Sequence, residues 1–215
     1  MFHIFQKFHR QNALFLGVFI LLHMATHLSG LWGIEAYNST QDLMRQIYRF
    51  PPVEILLFAS ISLQAVAGAY LLRTTWRRGM RSFWGKIQLI SGLIVIVFLV
   101  QHLPAFALAR WMDGMDTNFF WPAAVMHSAP LNWYFTPYYF LAVLALFVHL
   151  GCALRLICLR QGQRARAATA FWSAAATGVL LGALICAMLL GWFYDITLPE
   201  EWQLYLQKYS FGLAN

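Results

Sequence analysis

His23, His27, His102 and His149 stand inside apolar stretches of the sequence, and Gln64 stands inside another. An imidazole or an amide in such a place costs free energy unless it meets a partner or a cofactor, so each marks a candidate site. His23 and His27, in Leu22-His23-Met24-Ala25-Thr26-His27-Leu28, are four residues apart and share one face of a helix. The chemistry open to these groups is metal ligation or hydrogen-bonded packing. What surrounds them decides between the two.

The 215 residues are 60% hydrophobic and 11% charged, with a mean hydropathy of +0.59. This is too apolar for a water-soluble domain and reads as an integral membrane protein. Windows of the ~20 residues needed to cross a bilayer fall near residues 13–34, 53–72, 87–109, 134–159 and 170–193. They predict an all-α, five-helix membrane bundle forming a single transmembrane domain over 1–215. The first window is too long for the apolar core of a secretion signal and lacks a small-residue cleavage site, so it reads as a mature helix.

A net charge of +7 suggests a polyanionic partner until the charges are placed. Lys7 and Arg10 precede the first helix. Arg73, Arg77, Arg78, Arg81 and Lys86 flank the second connection, and Arg155, Arg160, Arg164 and Arg166 the fourth. All eight acids (Glu35, Asp42, Glu54, Asp113, Asp116, Asp195, Glu200, Glu201) lie at the other connections and in the C-terminal tail. Cations concentrate in cytoplasmic loops. The charge therefore describes topology, with the N-terminus cytoplasmic and the C-terminus outside, in a multi-pass protein of the cytoplasmic membrane. Nucleic acid is not an expected partner; the lipid bilayer is.

Cys152, Cys158 and Cys186 form no C-x-x-C pair and read as buried apolar residues, without an iron–sulfur or zinc signature. Trp32, Trp84, Trp111, Trp121, Trp133 and Trp192 lie near helix ends and read as interfacial belts. His3 and His9 lie near the terminus, and His127 in an aromatic outer loop, Trp111–Trp133; none is assigned a role. The stretch from Glu35 reads as a short surface helix before Pro51-Pro52, and the tail after Pro199 as an interfacial segment.

Four helices thus each bring a polar candidate towards the bundle interior: His23 and His27, Gln64, His102, and His149. Two imidazoles from two helices are what the iron of a low-spin haem b takes above and below its ring, and bundle cores are where such sites form. Depth counts at 1.5 Å per residue put His102 and His27 each about 12 Å from the outer flank, and His23 about 18 Å. Depth alone pairs His27 with His102.

The chain resembles the cytochrome b membrane-anchor subunit of succinate dehydrogenase and fumarate reductase, in its single-subunit form that normally holds two haems. The likeness rests on His23 followed by Glu35-Ala36-Tyr37-Asn38, on Ser91-Gly92 followed by His102, and on His149-Leu150. It implies that His23 and His102 ligate the haem nearer the outer face, with His27 as substitute for His23. Gln64 and His149 match the inner pair, and Ser91 belongs to the cofactor surroundings. Gln64 replaces a family histidine, Leu89 a family arginine and Ala153 a family glycine. An amide is a poor iron ligand. The expectation is therefore one haem at the outer pair, with the inner one absent or held by His149 alone. Gln64 and His149 would otherwise bond each other or a quinone head group.

The implied function is that of an anchor docking flavoprotein and iron–sulfur subunits and passing electrons to or from quinone. The chain has no flavin motif, dicarboxylate site or cluster ligands, so it would not catalyse alone. The alternative is an accessory membrane subunit of another complex, with one structural haem or none.

Overall fold

Pro51 and Pro52 occupy the first positions of a helix running to Arg77. A missing N–H costs nothing there, because the first turn has no intrahelical acceptors to serve. The structure, a computed structural model, describes residues 1–79 and 82–209; Arg81 of the basic cluster lies outside them. Five helices are long and apolar enough to cross a membrane: α1 (Phe2–Ser29), α3 (Pro51–Arg77), α4 (Phe83–Ala107), α6 (Leu131–Arg160) and α7 (Arg164–Leu189). Three shorter helices sit outside the spans: α2 (Ile34–Tyr48), α5 (Phe120–His127) and α8 (Glu200–Tyr209). The described residues contain no strand.

α1 starts at Phe2, well before the window at Ala13. Lys7, Arg10 and Asn12 lower the hydropathy of this segment, but it holds no Gly or Pro to break a helix. α4 is capped by the Ser82 hydroxyl, which accepts from the Gly85 N–H at 3.1 Å. Two residues beyond His102 it carries Pro104, which removes one helical N–H. The helix then continues into a widened turn, Leu108–Met112.

The spans neighbour one another in the order α1, α3, α4, α6, α7, and α7 returns to α1. α6 and α7 approach most closely: a Cβ on Gly178 would lie 2.7 Å from Phe147 Cβ, and one on Gly182 3.1 Å from the Phe140 ring. Such small-residue contacts join helices in lipid, where no hydrophobic force does so. By contrast, α1 has no backbone approach within 8 Å to α4 or α6 among the described residues. Side chains alone bridge that interior, and the histidines lie there. Leu14, Val18, Leu21, Leu63, Val66 and Val100 are exposed on the outer faces, as lipid contact requires.

One end of the bundle is capped by protein. Tyr37, Phe119, Ala123 and Met126 are buried together with Ile185, Met188 and Leu189. In the tail, Trp202 and Leu206 of α8 are buried against Ala124 of α5. Asn38 Oδ1 accepts from the Phe119 N–H at 3.0 Å, tying α2 to the α5 connection. Arg45 pairs with Asp116 at 2.9 Å, Arg110 with Glu54, and Lys208 with Asp113 at 2.6 Å. All the described ion pairs are at this end.

Gly178→Val is expected to cost about 1–3 kcal/mol by overpacking the α6–α7 interface. Gly17→Ala, which meets nothing within 4 Å, should be tolerated; detergent unfolding midpoints compare the two. Hydrogen bonds from Lys208 and Tyr209 hold the Asp113 carboxyl below its ordinary pKa. A depressed folded-state pKa stabilises the docked tail above the unfolded value, and this is lost as pH falls through the folded one. Proteolysis of α8 by an acid-active protease should therefore rise only below the usual carboxylate range, and Asp113→Asn should remove that dependence.

Candidate functional site

The C-terminal half of α1 brings His23 into the interior, where its ring centre lies 6.5 Å from that of His102 on α4, with the planes at 70°. Two metal–nitrogen bonds of about 2 Å, extended to the ring centres, separate trans imidazoles by about 6 Å. The rest of the surroundings is aromatic. Phe98 stacks on His102 at 4.7 Å and Trp121 covers it at 5.3 Å, while Phe19 stacks on His23 at 5.6 Å. Trp121 is thus not only a belt residue; α5 folds it over the imidazole.

His27 is differently placed. Its Nε2 lies 3.3 Å from His23 Nε2, and its Nδ1 lies 3.4 Å from the Tyr37 hydroxyl. Both of its nitrogens are engaged, whereas this contact uses one nitrogen of His23. Burial holds the Tyr37 phenol above its ordinary pKa, so it remains an O–H group that can anchor the row Tyr37, His27, His23. The simple depth count ignores where around the helix each side chain points.

The second group lies nearer the other ends of the helices. His149 Nδ1 is 3.1 Å from the Gln88 carbonyl and 3.4 Å from the Ser91 hydroxyl, which itself donates to Gln88 O at 3.1 Å. A carbonyl partner fixes the tautomer with hydrogen on Nδ1 and leaves the Nε2 lone pair free. The His149 ring lies against Gly92: a Cβ there would be 3.1 Å from Cε1. Ser91 also lines an apolar groove of about 200 Å³ between α4 and α6.

Gln64 does not bond His149. Its Oε1 accepts from Asn12 Nδ2 at 2.9 Å, and its Nε2 donates to the His9 carbonyl at 3.1 Å. The amide also lies 3.4 Å from His9 Nε2, and Asn12 donates to Ser60 O at 2.9 Å. These contacts join α1 to α3. The expectation that His9 belongs to an uninformative terminus is overturned, since α1 continues through it and carries its ring into the bundle. His9 and Asn12 precede His23 at helical spacing on α1, a signal that a hydropathy window starting at Ala13 omits.

Among the described residues no three His, Cys, Asp or Glu side chains converge to hold a bare metal ion. What the interior offers instead is paired imidazoles, which suit a metal whose remaining ligands come from a ring.

The chain is similar to the succinate dehydrogenase cytochrome b558 subunit of Bacillus subtilis (strain 168), with 24% identity over 139 residues. The match spans 62% of this chain and 66% of that one. No family model matches, and no solved structure does. Five helices of membrane length support a multi-pass membrane protein.

Proposed function

We propose that this chain is a haem b-carrying membrane anchor of a succinate:quinone oxidoreductase or fumarate reductase. The single observation that carries this is the approach of His23 and His102 across the interior, at a ring separation of 6.5 Å that suits two axial imidazoles. When bound, haem would supply a one-electron carrier inside the membrane. His23 and His102 would hold its iron, and Phe19, Phe98 and Trp121, packed on those two rings, would exclude water from it. His27, engaged on both nitrogens, orients His23 and does not ligate. The name of the distant relative supports the same reading.

Residues 1–215 act as one membrane domain, with the N-terminus in the cytoplasm and the C-terminus outside. The orientation follows from charge. Lys7, Arg10, Arg73, Arg77, Arg78 and Lys86 have no acid near them in sequence, whereas the cations of the opposite end are paired with Asp and Glu. This cationic face, which has no ion pair among the described residues, is where flavoprotein and iron–sulfur subunits dock, by attraction to acidic surfaces. The anchor has no dicarboxylate chemistry of its own and exchanges electrons with quinone.

The test is a reduced-minus-oxidised spectrum with pyridine haemochrome quantification on the purified chain. His23→Ala and His102→Ala should each lose the same protohaem, and His27→Ala should keep it. A chain that carries no protohaem overturns the reading.

A further inference from the structure

The His9 ring is half-buried and packs against Gly68 of α3, where a Cβ would lie 3.4 Å from its Cε1. Its Nδ1 is buried without a hydrogen-bond partner. The tautomers do not resolve this. Asn12 donates to Gln64 Oε1 and so fixes which end of that amide faces His9: the NH₂ group. If His9 Nε2 accepts from it, Nδ1 carries a buried, unanswered hydrogen. If Nδ1 keeps the lone pair, Nε2–H meets the amide hydrogens. Either arrangement leaves a buried polar atom without its complement, which is costly in an apolar interior.

Across from this ring stands His149, its centre 6.3 Å away and its plane at 85°. The separation matches that of His23 and His102, 6.5 Å, and again is about what two trans imidazoles on one metal require. His149 is already oriented, with Nδ1 on the Gln88 carbonyl. Glycines stand behind both rings, Gly68 behind His9 and Gly92 behind His149, so the helices come close without side chains filling the space the rings need. Lys7 and Arg10 lie within a turn of His9, and Lys86 lies two residues before Gln88. Such cations would be available in sequence to pair with haem propionates.

We propose that His9 and His149 form a second axial pair, so that this chain holds an inner haem b through α1 and α6 in place of the α3 histidine that Gln64 replaces. This rests on the haem reading above. Gln64 is then a positioning residue: its amide holds the His9 backbone and ring while Asn12 holds the amide. Fourteen residues of α1 separate His9 from His23, about 21 Å along the axis. Two one-electron sites on one helix would thus connect the cationic face with the capped end.

The experiment uses the full chain expressed with added protohaem and purified in detergent, with haem-to-protein stoichiometry and near-infrared magnetic circular dichroism as readouts. Wild type is expected to carry two protohaems, both low-spin with two imidazole ligands. His9→Ala should lose one haem or turn it high-spin while the His102-dependent haem keeps its spectrum. His9→Gly with added imidazole should regain the low-spin signal. Gln64→Leu should retain two haems with one spectrum shifted. Two unchanged low-spin haems in His9→Ala overturn the proposal, as does a Gln64→Leu variant that loses a haem while His9→Ala does not. If the His9 variants fail to accumulate, wild type still decides: an amide-ligated inner haem, or a single haem lost with His102, overturns the inner pair and leaves the outer-site reading standing. No haem at all overturns that reading itself.

Discussion

A polar side chain inside a membrane receives nothing from lipid, so each must be answered by another group of the protein. The cross-connections of this bundle follow from that constraint. Asn12 spans from α1 to the Ser60 carbonyl and Gln64 of α3. His149 of α6 reaches the Gln88 carbonyl of α4, and the Tyr138 hydroxyl donates to Phe98 O at 3.2 Å. Thr26 and Thr177 return their hydroxyls to carbonyls four residues back. Interhelical bonds of this kind contribute only about 0.6 kcal/mol each. Their larger effect is on register, because a rotated helix would leave both partners unsatisfied.

The remaining cohesion comes from shape. Beyond Arg166, α7 carries no acidic, basic or histidine side chain, and it is held to α6 by Gly178 and Gly182, which let the backbones close up. α1 faces α4 and α6 across a wider interior occupied by rings. One half of the bundle is therefore packed like a solid, and the other is organised around imidazoles. The proposed haem site falls in the second half, since a dense glycine contact leaves no room for a macrocycle.

Charge divides the molecule along the other axis. At the capped end Arg45, Arg110 and Lys208 are each matched by a carboxylate, and α2, α5 and α8 are fastened by these pairs and by Asn38. At the opposite end the cations stand without acids in the neighbouring sequence. One face is thereby closed on itself, and the other presents the cations on which the proposed docking of acidic partners depends.

Hydropathy and composition determined by themselves that the chain crosses a membrane five times, because transfer of each window into lipid depends on residue type and length alone. The candidates His23, His102, His149, Gln64 and Ser91 were legible for the same reason: a polar residue in an apolar run is visible without coordinates. Their partners were not. Depth along a helix carries no information about azimuth, so it favoured His27, whose two nitrogens the structure engages with Tyr37 and His23. A hydropathy window discards a helical segment that contains Lys7 and Arg10, so it hid His9 and Asn12. Only tertiary packing decided that Gln64 faces His9 and that His9 faces His149. A match between side chains on different helices depends on rotation and tilt, set by the whole bundle at once and written in no single segment.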